Sequence, residues 1–323
     1  MANRINIALF GFGRIGRNLF RLGYDNPKYN FVAISDFGSS EALHYLLARD
    51  SIHGSMDDEV RLDGNHLIVK NQRPRLINGG EPGNVPWDAF DVDIVVDATG
   101  RFLKREELAA HLKAGAKRVL ISRNPHDTID RFIIPGINEK SIETSDQIIS
   151  TTSSTTQVLA LMVKMLDEKF GLERAMMTTV HAYTADQPLA DAAGVDLRRS
   201  RSAVENIIPN STRAPKIVMD IMPEYKGKID GIAFNVPVPN GSCVDLTTEL
   251  KNVPSIDDAN QAIKKYSLES LNGIVGYTSD PIVSSDVIGR EETMVFDEKA
   301  TMITKDLLLK TLCWYDNGWG FAK

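Results

Sequence analysis

The sequence has little cysteine, no long apolar run and no surplus of positive charge, and each shortage removes a class of protein. Its two cysteines, Cys243 and Cys313, lie in separate apolar segments. They offer neither a disulfide framework nor metal-ligand spacing, which predicts two reduced core thiols and no metal site. No stretch reaches the roughly 18 to 20 apolar residues that a membrane-crossing helix needs. The start, Met1-Ala2-Asn3-Arg4, leads directly into a strand-like segment without a signal-peptide core, so the expected location is cytoplasmic. The 37 basic and 43 acidic residues leave a net charge of −6. That balance argues against nucleic acid or an anionic membrane as partner, and any anionic ligand must be met by a local pocket. Internal repeats, low-complexity tracts and flexible linkers are also lacking.

What is present is an ordinary soluble composition, 42% apolar and 25% charged, in 323 residues, enough for two domains. The first 150 residues alternate β-branched runs with helical patterns: Ile5 to Phe10, a helix from Arg14, Phe31 to Ser35, Asp93 to Asp97, a helix near Glu106 to Ala114, and Arg118 to Ser122. That rhythm predicts a parallel sheet covered by helices on both faces, an α/β Rossmann-type domain. From Ser154 to Phe170 a single helix is expected, apolar over more than one face and therefore buried between layers. Strand-like stretches follow at Met176 to Tyr183, Ile229 to Val238, Ser242 to Leu250, Gly273 to Tyr277, Thr293 to Phe296 and Leu308 to Tyr315, with a helix near Ile256 to Tyr266. They predict an α+β second domain with a mostly antiparallel sheet. Thr184 to Pro209 reads as a long loop, and long loops in compact enzymes usually carry function.

Gly11-Phe12-Gly13-Arg14-Ile15-Gly16 is a complete G-x-G-x-x-G between a strand and a helix. Its glycines allow a tight turn and let a pyrophosphate approach the helix N-terminus. Asp36 closes the next strand, where a carboxylate accepts ribose hydroxyls and repels a 2′-phosphate. The expected cofactor is NAD, with NADP as the alternative.

Beyond this motif the chain resembles the phosphorylating glyceraldehyde-3-phosphate dehydrogenase family along its length. The resemblance rests on Gly11 to Arg17, Asp50-Ser51-Ile52-His53-Gly54, Ala98-Thr99-Gly100, Ala110 to Val119, Thr178 to Tyr183, Asn206 to Thr212 and Trp314 to Gly320. It implies a nucleotide-binding domain over residues 1–153, a catalytic domain over 154–316, and a segment 317–323 that returns to the first domain with the family's terminal helix shortened. It also implies a homotetramer and a small anionic substrate. Arg14 and Ile15 would approach the pyrophosphate, Thr99, Gly100 and Ser122 the nicotinamide side, and Asn317 the carboxamide. Arg101 and Arg123 lie near the expected cofactor and read as surface charges.

In the family, a cysteine at the head of the long helix attacks an aldehyde, a histidine activates it, a hydride passes to NAD, and phosphate releases the thioester. Here Ser154 holds that cysteine's place and His181 matches the histidine. A serine hydroxyl at a helix N-terminus stays protonated where a cysteine would ionise, so it needs a base at the moment of attack. Ser154 also fits a plain helix cap, as do Ser153 and Thr155.

The anion positions differ as well. Asn235 stands where the family carries an arginine, and Arg213 where it carries a glycine, while Arg199, Thr184, Asp186 and Thr212 match substrate-side positions. Ser153 and Thr155 keep hydroxyls there. Phe10, Gly318 and Ala192-Ala193 depart from the family around the cofactor, the last pair replacing a Leu-Pro that helps exclude NADP.

The expected function is an NAD-dependent oxidoreductase acting on a small phosphorylated or carboxylated aldehyde or alcohol without a thioester, with His181 as acid/base. The alternatives are a non-catalytic NAD-binding paralogue, serving as scaffold or sensor, and a glycolytic enzyme inactivated by Cys-to-Ser replacement. Serine-hydrolase chemistry lacks a G-x-S-x-G elbow around Ser154.

Overall fold

Ile5–Phe10 forms a strand whose last four residues are buried. Its side chains alternate between two apolar clusters: Ile7 and Leu9 pack with Phe20 and Ile34, and Ala8 and Phe10 with Trp87 and Val95. Both faces of this strand are therefore covered, as a continuous apolar run in a parallel sheet requires. The strand is followed by helix α1 (Arg14–Gly23), and by the Tyr29–Asp36 strand, which pairs parallel to it. Ile94–Asp97 pairs parallel on its other side. The chain thus leaves the first strand toward one neighbour and later returns to the other, the arrangement that opens a crevice at the strands' C-terminal ends.

The computed structural model describes residues 4–305 and 307–323. Its first unit comprises residues up to Ile133 and Asn138–Thr152. It contains a nine-stranded sheet, parallel from Arg131–Phe132 through Ile148–Ser150, Arg118–Ile121, Ile94–Asp97, Ile5–Phe10 and Tyr29–Asp36 to Arg75–Asn78. Two short strands, His66–Ile68 and Arg61–Asp63, extend that edge antiparallel. The purely parallel expectation is thus corrected at one edge, where the strands are too short to show a period in the sequence. Helix α2 (Ser40–Ala48), capped by Ser39, and α3 (Arg105–Lys113) complete this unit.

The second unit comprises Ile134–Ile137 and Ser153–Phe321. Helix α4 (Ser154–Phe170) is buried along its first twelve residues except Lys164 and carries Val158, Leu159, Leu161, Met162, Val163 and Leu166 into the unit's core. Each such side chain contributes about 1.5–3 kcal/mol by leaving water. The sheet runs Ile208–Asn210, Ile229–Val236, Leu172–Ala182, Ser242–Leu250, Leu308–Tyr315, Met294–Asp297 and Val275–Thr278, with Met302–Ile303 paired to Leu308–Tyr315. Most neighbours are antiparallel. Leu172–Ala182 with Ile229–Val236, and Val275–Thr278 with Met294–Asp297, are parallel. Helices α5 (Ala214–Ile221), α6 (Ile256–Leu268) and the short α7 (Trp319–Ala322) complete the described helices. The long stretch from Thr184 contains no helix and forms a strand only at its end, where Ile208 and Pro209 pair with Asn235 and Phe234.

Candidate functional site

The nucleotide cleft of the first unit is built by backbone geometry. Gly11 has φ of +95°, and a Cβ there would lie 2.8 Å from the Thr99 nitrogen. At Gly16 a Cβ would lie 2.2 Å from the Gly11 carbonyl oxygen, so strand, turn and helix approach each other only because both residues are glycine. Gly13 differs, since nothing lies within 4 Å of the Cβ it lacks. It is the N-cap of α1, no side chain caps that helix end, and no acidic residue occupies its first turn. An open space therefore faces a helix start that no capping side chain covers, which suits a pyrophosphate.

Asp36 sits at the end of its strand and accepts the Phe12 N–H (2.7 Å) and the Gly38 N–H (2.9 Å). Thr99 donates its hydroxyl to Asp97 Oδ1 (2.6 Å), and Ser122 lies beside the same residue, its backbone N–H on the Asp97 carbonyl at 3.2 Å. Gly100 takes φ of +65° with its carbonyl facing Arg123 Nη1 at 3.3 Å. Phe10, Gly11, Gly13, Asp36, Thr99 and Arg101 line one cleft of about 180 Å³. Arg14 and Ile15 are half-buried at the start of α1. The cradle fits a dinucleotide.

In the second unit, the register of the sheet decides which side chains can act together. Thr179 and His181 lie on the face that carries Ala175 and Met177 into the α4 core, because side chains alternate along a strand. Asn235 is opposite His181. Ser242 pairs with Tyr315, on the same face. Tyr315 is fully buried, and its hydroxyl meets Thr155 Oγ1 at 2.9 Å and Thr179 Oγ1 at 3.0 Å. Its ring meets that of His181 edge-on, 6.0 Å between centroids. Tyr315 thus touches both the first turn of α4 and His181. Burial pushes its hydroxyl up to about 12, against hydrogen bonds from Thr155 and Thr179 that act the other way.

His181 places Nδ1 2.6 Å from the Ala182 carbonyl oxygen. A carbonyl only accepts, so Nδ1 carries a proton, and in the neutral form of the ring Nε2 would be the atom with the lone pair. Ser154 is the first residue of α4, 9% exposed, and its hydroxyl forms no hydrogen bond with any described residue. Ser153 is the cap: its Oγ accepts the Thr156 N–H (3.3 Å) and lies 2.8 Å from Thr156 Oγ1. Of the three residues read as possible caps, Ser153 takes the role, and the capping reading of Ser154 and Thr155 is corrected. The cap must sit one residue before the helix, where its backbone is extended. Just ahead, Thr152 has φ of +65°, a strain of about 1–3 kcal/mol for a β-branched residue.

Neither cysteine replaces the missing thiol. Cys243 pairs with Val180 and Trp314, on the face opposite His181, and burial raises its thiol to about 11. Cys313 shares the α4 face but is fully buried with Sγ 3.1 Å from Met162 Sδ, and burial raises its thiol well above the ordinary range. Both are unbonded core thiols, as the sequence predicts.

The anion positions form two groups. Thr184 donates to Asp186 Oδ1, and Asp186 Oδ2 holds Arg199 Nη2 at 2.5 Å, so this arginine is already neutralised. Asn235 accepts from Asn210 Nδ2 (3.2 Å) and points its own amide at the Ala182 carbonyl (3.4 Å). Thr212 Oγ1 accepts the Ala214 N–H at 3.2 Å. Arg213 is exposed and is the N-cap residue of α5, a poor place for a cation unless an anion accompanies it. Asn317 accepts Ser242 Oγ at 3.1 Å, and its amide nitrogen has no partner among the described residues. Tyr315, Thr179 and Ser242 were not foreseen as site residues. The alternation of Thr179 with His181 was the one available signal.

Among the described residues no group of three or more metal-ligating side chains occurs, and no helix is long and apolar enough to cross a membrane. Residues 5–105 match the family model described as glyceraldehyde 3-phosphate dehydrogenase, NAD binding domain, and residues 153–317 match that of the C-terminal domain of the same enzyme. The chain is 42% identical over 319 residues to glyceraldehyde-3-phosphate dehydrogenase 1 of Bacillus subtilis, and 43% identical over 319 residues to the enzyme of Priestia megaterium; each alignment covers 98% of this chain and 95% of the relative. Similarity to the enzyme of Podospora anserina is 40% over 321 residues, 99% of this chain and 95% of the relative.

Proposed function

Because the chain belongs to the glyceraldehyde-3-phosphate dehydrogenase family and is an NAD-dependent oxidoreductase of that kind, we propose that it oxidises or reduces a small phosphorylated or carboxylated aldehyde or alcohol without a thioester. Residues 1–153 serve the nucleotide and 154–316 the substrate. Gly11, Gly13, Gly16 and Asp36 would hold NAD, which supplies the acceptor or donor for a hydride.

His181 is the acid/base. In oxidation, a hydroxyl of the alcohol, or of the hydrate that an aldehyde forms with water, gives its proton to Nε2 as its carbon passes a hydride to NAD, leaving a carbonyl or a carboxylic acid. In reduction, the same atom returns the proton. Ser154, with a hydroxyl that no protein group holds, donates a hydrogen bond to the reacting oxygen. Arg213 and Thr212 receive the substrate's anionic group, while Arg199 stays with Asp186. The observation that carries this reading is the Nδ1 contact to the Ala182 carbonyl, which leaves Nε2 basic on the same sheet face as the Tyr315 ring. Exposed Met176 and Ile232, on the sheet face opposite α4, with Leu189, Leu197 and Ile207 in the long loop, support a homotetramer as the assembled form.

The test is NADH formation from glyceraldehyde 3-phosphate, with and without inorganic phosphate, by the parent chain, Ser154→Cys and His181→Gln. Phosphate-dependent turnover only in Ser154→Cys would show that the ancestral pocket survives and that only its nucleophile was lost. Phosphate-independent turnover by the parent that falls about 10²- to 10⁴-fold in His181→Gln supports the proposal. Silence in all three while NAD binds would make the chain a nucleotide-binding paralogue.

A further inference from the structure

The adenosine end of the nucleotide cleft carries a cation that no described residue neutralises. Arg101 is exposed, and its guanidinium carbon lies 5.2 Å from the centre of the Phe37 ring and 5.7 Å from that of Phe102. No carboxylate among the described residues pairs with it. Its backbone is tied down, with the N–H on Thr99 Oγ1 at 3.2 Å. Phe37 directly follows Asp36, and its ring lies on the backbone of Gly79, where a Cβ would come within 2.3 Å of the ring. Asp36, Phe37, Gly79 and Arg101 line the same cleft.

A guanidinium held over aromatic faces is partly preorganised and loses less freedom on capturing an anion than a loose side chain. The residue beside it, Asp36, opposes a phosphate at the ribose 2′-oxygen. Its two oxygens, however, already receive the Phe12 and Gly38 N–H groups, which spread part of its charge. We propose that Arg101 is a specificity-determining residue that receives a ribose 2′-phosphate, so that this chain binds NADP as well as NAD. Asp36 still makes NAD the tighter ligand, and Arg101 sets how large the penalty against NADP is. The proposal rests on the reading of this cleft as the NAD site.

Calorimetric titration of NAD and NADP into the full chain, Arg101→Ala and Arg101→Lys, each at low and high salt, tests it. The parent should bind both nucleotides, with NADP the more salt-sensitive, since an exposed charge pair is screened. Arg101→Ala should weaken NADP about tenfold and NAD less than about threefold, and Arg101→Lys should recover part of the NADP affinity. Equal losses for both nucleotides would overturn the proposal and leave Arg101 as a stacking surface for adenine. NAD binding without any NADP binding in the parent would also overturn it, with the cleft reading intact. Absence of NAD binding would overturn the cleft reading and the proposal together.

Discussion

Two of the places where a strand end runs into a helix answer to different constraints. At Gly11 to Gly16 the demand is steric: a methyl group at Gly16 would sit 2.2 Å from a backbone oxygen, so the residue type follows from geometry. At Ser150 to Ser154 the helix is capped by Ser153, and no close contact comparable to that at Gly16 dictates a serine at the next position. Under the proposed reading, serine at 154 leaves the fold alone and changes only the chemistry. A change that geometry polices is kept out, whereas one that only reactivity polices can leave the architecture untouched.

The largest effect expected from this contrast is at Gly16. Gly16→Ala should abolish measurable NAD binding or prevent folding, whereas Gly13→Ala, which meets open space, should fold with a melting temperature close to that of the parent. Comparable NAD affinity and melting in parent and Gly16→Ala would break the comparison.

Ser154→Cys sharpens it from the other side. The variant should stay within about 1.5 kcal/mol of the parent's stability, as near-isosteric changes do, yet gain one thiol that labels at neutral pH. A helix N-terminus lowers a thiol's ionisation below its usual value of about 8.5, while Cys243 and Cys313 stay unlabelled until the chain unfolds. Slow labelling of all three thiols would mean that the position no longer activates a nucleophile.

The last effect concerns Tyr315, whose loss leaves both turns in place. Tyr315→Phe removes the hydroxyl shared by Thr155 and Thr179 and should cost about 1–3 kcal/mol in chemical denaturation at neutral pH. In the unfolded chain a tyrosine ionises near 10, and in the fold Tyr315 ionises near 12. Its contribution is therefore complete below pH 10 and is lost as pH rises from 10 to 12, because only the unfolded state has released the proton. Parent stability should accordingly fall more steeply than that of Tyr315→Phe across that interval. Parallel pH profiles would remove the buried hydroxyl from the account.

Much of the first unit could be read along the chain, since strand, glycine turn, helix and terminal carboxylate follow one another within residues 5–36. The antiparallel edge, Arg61–Asp63 with His66–Ile68, could not, because three-residue strands carry no usable period. Helix α2 also escaped the reading. In the second unit the long helix and most strands were legible, with ends that shifted by a few residues. Met176 to Tyr183, for instance, became Leu172–Ala182. Of the candidate site, Ser154 and His181 were named from the sequence, whereas Ser242 and Tyr315, on the same sheet face as His181, come from strands distant along the chain.

The sequence by itself determined the nucleotide turn, the acidic residue that closes the second strand, the helix that begins at Ser154 and the absence of a thiol there. All of these depend on neighbours a few positions away, whose backbone preferences act locally. Only the tertiary structure decided that Cys243 turns away from His181, that this ring points Nδ1 at the Ala182 carbonyl, and that Tyr315 joins Thr155 to Thr179 across 160 and 136 residues of chain. The reason is strand register. A shift of one residue moves every side chain to the opposite face of the sheet, and register is set by which surfaces can be buried together.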